Sequence, residues 1–299
     1  MESFIGKTID SYLILEVIGR DGIGPIFKAE DINLGKYVVL TKVDEAFIKD
    51  ERFRKLIKKE ANIIDKINIP GIIIEKNILE NKQGFFLLME YIEAQSLFQH
   101  IRENGPFSTK SAILIIKQLL NTIGNLHKVS IVHRDIKPIN IYLNDNGEIK
   151  ITYYALTSLI KKISFDSDFI YNVGSLFYTP PEVLKGLRII GISRDIYSLG
   201  ITFYEIITGR VPFEKTDSDF SIQKKIIEGK FPPPGKFNSN IPKKFEEIIL
   251  KSINKNPNKR YRNTEDILND IKKYEEELIE IKSGLRKNIS KKIFYILKR

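Results

Sequence analysis

Cysteine is missing from the whole of this 299-residue chain. That absence excludes disulfides, thiolate zinc sites and cysteine nucleophiles, and it agrees with a reducing, cytoplasmic setting. No apolar run approaches the ~20 residues needed to cross a bilayer. The opening MESFIGKTIDSYLIL has neither a basic lead nor a clean apolar core, so no signal peptide is read there. Repeats and low-complexity linkers are lacking as well. Acidic residues fall short of basic ones, which leaves a formal net charge of +10. The lysines are spread over nearly every segment and do not gather beside aromatics, so a dedicated nucleic-acid role is not expected.

What is present suits a soluble globular chain with a sizeable core: 42% hydrophobic and 29% charged residues. The length fits one bilobed unit or two domains. The early part is strand-like. Residues 12–19, 36–43 and 85–92 are β-branched or aromatic runs bounded by Gly, Asn and Lys turns. Between the last two, Phe53, Leu56, Ile57, Ile64 and Ile67 recur at helical spacing and predict an amphipathic helix over 50–67. Beyond about residue 93 the pattern turns helical, with periodic segments at 109–128, 193–208, 220–228, 243–254 and 264–281. A small strand-rich lobe followed by a larger helical one is an α+β arrangement.

The string 133-HRDIKPIN-140 carries the chemistry. Asp135 is placed to accept a hydroxyl proton, Lys137 to neutralise a moving phosphoryl group, and Asn140 to coordinate Mg²⁺. Taken alone it would read as a polar loop. The eight-residue string is specific, however, and by it the chain resembles the eukaryotic-like (Hanks-type) serine/threonine protein kinases, bacterial members above all. The resemblance spans residues 12–274 and implies a bilobal fold: a small lobe of antiparallel sheet with one helix over 12–92, and a larger, mainly helical lobe over 93–274. Residues 1–11 form a lead-in, and 275–299 a basic helical tail.

The resemblance also implies roles. Lys42, in 39-VLTK-42, stands for the lysine that grips the ATP phosphates, with Glu60 as its ion-pair partner. Met89 is the gatekeeper, and the backbone of Glu90 to Ile92 faces adenine. Gly19, Gly22 and Gly24 belong to the phosphate loop, with Ile26 and Leu40 as the roof of the adenine site and Tyr142 as its floor. Asp195 supports the catalytic loop, His133 is packed, and Arg260 is the buried partner of Glu182 in 180-PPE-182.

Departures from the family pattern cluster around the nucleotide. Eighteen residues after Asp135, where an Asp-Phe-Gly motif belongs, the chain reads Tyr153-Tyr154-Ala155. Mg²⁺ wants hard carboxylate oxygens, and a phenol is a poor and bulky substitute. Asp21 replaces the middle glycine of the phosphate loop, where a carboxylate repels an anion. Leu40 and Ile26 add methylenes to the adenine roof. The expectation is therefore a kinase-like domain with weak ATP and Mg²⁺ binding and impaired catalysis, acting through a protein partner. The competing expectation is a working Ser/Thr kinase that uses Asn140 as its main metal ligand. In 281-IKSGLRKNISKKIFYILKR-299, apolar residues fall on one helical face among seven Lys or Arg. That segment either folds against the large lobe or contacts an anionic membrane surface or a partner.

Overall fold

The computed structural model describes residues 4–20, 23–49, 68–153, 176–187, 191–214 and 217–297, with 51, 54, 55 and 57; for 75, 76 and 281–297 it describes the backbone alone. The small lobe is built from six strands: β1 (Thr8–Ile9), β2 (Tyr12–Arg20), β3 (Pro25–Asp31), β4 (Lys36–Lys42), β5 (Ile72–Asn81) and β6 (Gly84–Glu90). They lie side by side in the order β1-β2-β3-β4-β6-β5, each antiparallel to its neighbour. The β3–β4 turn closes on Asp31, whose carboxylate accepts from Asn33 N at 3.0 Å while Gly35, at φ +61°, supplies the left-handed step. The strand expected over 85–92 ends at Glu90, and β1, β3 and β5 were not singled out as strands in the sequence.

Alternation along these strands makes two apolar faces. The outer face gathers Ile9, Ile14, Phe27, Ala29, Leu40, Phe86 and Leu88. The inner face, toward the large lobe, holds Val43, Phe85 and Leu87 at one end and Val39 and Met89 at the other. A short α1 (Glu45–Ile48) follows β4. Of the helix expected over 50–67, positions 51, 54, 55 and 57 are helical and Ile57 is buried on the inner face. The remainder, Glu60 included, lies outside the described residues.

The large lobe begins at β7 (Gln95–Ser96) and α2 (Leu97–Asn104), which Ser96 and Gln99 open with a capping box. Helix α3 (Thr109–Lys128) starts at a Ser108 cap, on the predicted residues. Then come β8 (Ile141–Leu143), β9 (Ile149–Tyr153), α4 (Pro181–Leu184), α5 (Ile192–Thr208), α6 (Asp219–Glu228), α7 (Lys243–Ser252) and α8 (Thr264–Leu297). Their apolar stripes meet in one core running from Leu97 through α3 and α5 to Tyr274. Gly200 lets α5 and α7 touch: a Cβ there would stand 2.6 Å from the Ile253 side chain. Helix α8 is a single helix through Leu297, so the expected boundary at 275 is not a break in secondary structure. Among the described residues no helix is long and apolar enough to cross a membrane.

One parallel ladder joins the lobes. The start of β5 pairs with β9, Ile72 with Ile151 and Ile74 with Tyr153. Farther down, Arg260 and Glu182 are both buried and bonded at both guanidinium nitrogens, at 2.6 and 2.7 Å, as the sequence implied. Removing one partner strands the other charge in the core, which typically costs ~3–5 kcal/mol. Arg260→Ala is therefore expected to lower unfolding free energy by about that much in urea titration, whereas exposed Arg262→Ala should change it by less than ~1 kcal/mol.

Candidate active site

The loop after α3 is shaped by a buried carboxylate. Asp195, fully buried in the first turn of α5, accepts from the backbone N–H of His133 at 2.7 Å and of Arg134 at 2.8 Å. His127 Nε2 sits 2.8 Å from the same group. Burial alone would push this carboxyl up. The hydrogen bond from His127 and the charges and donors around it outweigh burial and hold Asp195 below the usual carboxylate range. The pull bends Arg134 to φ +70°, and Arg194 donates to the Arg134 carbonyl at 3.3 Å. Asp195 thus supports the loop, as its position implied.

On that support Asp135, Lys137 and Asn140 converge. Lys137 Nζ lies 3.0 Å from Asp135 Oδ1, and Asn140 Nδ2 donates to Asp135 Oδ2 at 3.0 Å and to the Asp135 carbonyl at 2.8 Å. Asn140 is anchored in turn by Thr152, whose hydroxyl donates to its carbonyl at 3.3 Å. A carboxylate that accepts a proton, an ammonium group and an amide are therefore within reach of one another. His133 is buried next to them, and burial pushes its imidazole below the ordinary value. Its ring packs 5.4 Å from that of Tyr153.

Tyr153 brings a phenol, not a carboxylate, to this place. It is 7% exposed and packs among Ile23, Val43, Ile57, Ile74, Phe85 and Leu87. Ile23 comes from the phosphate loop, and its carbonyl accepts from Asp44 N at 2.8 Å. The Asp44 carboxylate accepts from Arg20 at the loop's other side. Gly24, at φ +159°, lies so close to β4 that a Cβ would stand 1.8 Å from the Lys42 carbonyl oxygen. Only glycine permits that approach. The loop end is laid down on β4 with its isoleucine sunk into the inner cluster.

The register of β4 corrects two expectations. Ile26 pairs with Thr41, Phe27 with Leu40 and Lys28 with Val39. Cross-strand partners share a face, so Val39 and Thr41 look inward with Ile26, while Leu40 and Lys42 look outward. Leu40 is in the outer cluster, not the adenine roof. Lys42 lies over the Phe4 ring, 5.0 Å from its centroid, on the side of the sheet away from Asp135. Val39 and Thr41 stand in the two inward places. The string V-L-T-K misled because a one-residue offset inverts a strand's faces, and the pairing that reveals it is not visible in β4 alone.

The remaining expected residues fall as follows. Met89 and Ile92 join Ile26 and Val39 at the hinge end. Glu90 is exposed and paired with Lys150 at 2.8 Å. Tyr142, on β8, is half-buried, and burial pushes its phenol up. Gly19 ends β2 beside its bulge, while Gly22 and Asp21 lie outside the described residues. Sequence reasoning missed Lys28, whose ammonium sits 4.5 and 4.6 Å from the Tyr37 and Tyr91 rings at the cleft mouth. It also missed the bond from Tyr178 to the Glu205 carboxylate beneath the loop. Neither carries a local motif.

Two outcomes follow from this geometry. Lys42→Ala should leave nucleotide affinity unchanged in calorimetry and cost stability only the ~0.5–1 kcal/mol of a half-buried cation–aromatic contact. The second concerns acid. His133 stays neutral in the fold at pH values where the unfolded chain already binds a proton, so stability is full above the ordinary imidazole value near ~6.5 and falls as pH drops toward the depressed folded value. Thermal unfolding followed from pH 7.5 to 5 should show that loss (an expected window of roughly these values), and His133→Phe should flatten it.

The protein kinase domain model matches residues 12–271. Serine/threonine-protein kinase PrkC of Bacillus subtilis is 34% identical over 269 residues, covering 90% of this chain and 41% of that protein. A probable serine/threonine-protein kinase of Clostridium acetobutylicum is likewise 34% identical, over 271 residues, covering 89% and 40%. The chain thus spans about two fifths of the length of these relatives. Among solved structures, Rad53 1-466 in complex with AMP-PNP superposes with a TM-score of 0.72 at 24% identity, over 88% of this chain and 66% of that one, which shows the same fold. With the match running from β2 into α8, the chain belongs to the Hanks-type protein kinase domain family.

Proposed function

We propose that this domain has lost efficient phosphoryl transfer and works by binding a protein partner, as a pseudokinase. The family as a whole binds ATP with Mg²⁺ and acts on proteins. The observation that carries the reading is Tyr153 buried in an apolar cluster together with Ile23 of the phosphate loop. That cluster carries no carboxylate for Mg²⁺ and, apart from the Tyr153 phenol, its side chains are apolar.

Three further features support it. Thr41, not a lysine, is the inward residue of β4 opposite Ile26. Apart from Thr41, the described inward residues at this end are aliphatic or aromatic, and among the described residues no three His, Asp or Glu side chains converge as a metal site. The described residues therefore fit Mg·ATP poorly: Mg²⁺ keeps its hydration unless carboxylates and phosphates hold it, and Tyr153 stands where a second carboxylate would join Asp135 and the Asn140 amide. Losing one preorganised charge contact at a transition state typically costs ~2.7–4 kcal/mol, or ~10²–10³ in rate. Loss of both a metal carboxylate and an inward cation would exceed that.

The second reading, an active Ser/Thr kinase with Asn140 as its main metal ligand, is favoured by the assembled Asp135, Lys137 and Asn140. Architecture explains this cluster equally well, since Asn140 and Lys137 tie the loop to Asp135. Purified protein incubated with radiolabelled ATP and Mg²⁺ or Mn²⁺ is expected to show no autophosphorylation above an Asp135→Ala control, and ATP·Mg²⁺ should not raise its melting temperature. Transfer that disappears in Asp135→Ala, with a melting shift that requires Mg²⁺, would establish the second reading.

A further inference from the structure

Helix α8 outruns the helix it packs against. Its 34 residues rise about 51 Å, against about 30 Å for the 20 residues of its neighbour α3. Its first half is fastened to α3. Gly124 approaches Thr264 so closely that a Cβ would stand 2.5 Å from the hydroxyl, and Lys117 Nζ bonds Glu275 at 2.8 Å. Ile267, Ile271 and Tyr274 are buried against the core. The two helices run antiparallel, and α3 begins at Thr109, eight residues from Lys117. At equal rise it accompanies α8 only to about residue 283. The last four turns or so run on beyond the end of α3.

The sequence of that extension is one-sided. From 281 to 299 there are seven Lys or Arg and no Asp or Glu. By helical position Leu285, Ile289, Ile293 and Ile296 share one face, Lys287 and Lys291 fall on the opposite one, and Lys282 and Lys292 lie on or beside the apolar stripe. We propose that the end of α8 lies on an anionic lipid surface, its apolar stripe in the interface and its cations against the headgroups. Charge complementarity selects this occupant. A second copy meeting it extension against extension would bring like charges together with no acid in 281–299 to answer them, whereas an anionic bilayer offers both an apolar layer and the opposing charge. The site is separate from the cleft and does not depend on whether catalysis survives.

The test is co-sedimentation of the full chain with vesicles of phosphatidylcholine alone and of phosphatidylcholine mixed with phosphatidylglycerol. The wild type is expected to pellet with the mixed vesicles and not with the neutral ones, and to be released by added salt. Leu285→Glu, Ile289→Glu and Ile293→Glu combined should weaken partition at least about ten-fold, because both apolar burial and charge are lost. Lys287→Glu with Lys291→Glu should weaken it while keeping the stripe. Both variants alter residues beyond the end of α3, so thermal unfolding should be unchanged. The proposal is overturned if the wild type fails to pellet with anionic vesicles, or if the triple variant pellets equally well, which would leave only the chain's general positive charge. It is also overturned if the wild type is a dimer in light scattering that the triple variant dissociates, since the occupant would then be a second copy.

Discussion

Side chains on a β-strand alternate, and that two-residue period decides the chemistry of this cleft. Three pairings set it: Ile26 with Thr41, Val39 with Met89, and Leu87 with Thr41. They turn Val39, Thr41 and Val43 toward the large lobe and commit Leu40 and Lys42 to the outside. A lysine one position earlier would have been a cation in the cleft. At its actual position it caps Phe4 on the far face of the sheet. The same alternation runs through the β5–β9 ladder, which sets Tyr153 opposite Ile74 and so between the lobes.

From this the character of the two ends of the cleft follows. At the large-lobe side a polar cluster is fully supported: Asp195 holds two backbone amides, and Asp135 holds Lys137 and Asn140. At the small-lobe side the corresponding wall is dry, made of Val43, Phe85, Leu87, Ile57 and Tyr153, with Ile23 brought down from the phosphate loop. Burying these side chains is favourable by roughly 1.5–3 kcal/mol each relative to exposure, and at this end β4 turns Thr41, not Lys42, toward the cleft. The proposed loss of catalysis is thus an exchange of electrostatic function for packing. It leaves the fold's supports, such as Arg260 with Glu182, in place.

Much of this was legible in the residues. Helix α3 begins and ends where its periodicity and the Ser108 cap put it, and α5, α6 and α7 agree to within two residues. The string 133–140 announced a cluster that the coordinates bring together. The departure at Tyr153 was also visible, because its spacing from Asp135 is carried by one short hairpin. What could not be read was pairing. Lys42 and Leu40 were assigned from a four-residue string, but a strand's inward side depends on its neighbours, and β3 had not been recognised as one. Ile23 was unremarkable in sequence because its burial depends on Gly24 resting against β4. The periodic segment 264–281 and the helical tail of 275–299 are one helix, because the backbone runs helically through Gly284.

The central claim is that the phosphate end of the cleft is closed by the protein's own side chains. The Asp44 amide reports on it most directly, since it donates to Ile23 and stays protected only while the loop lies on β4. Hydrogen exchange at Asp44, measured with and without saturating ATP and Mg²⁺, is predicted to be slow and the same in both. Exchange at Asp44 that changes when nucleotide and metal are added would mean that the loop lifts to admit phosphates, and would contradict the account.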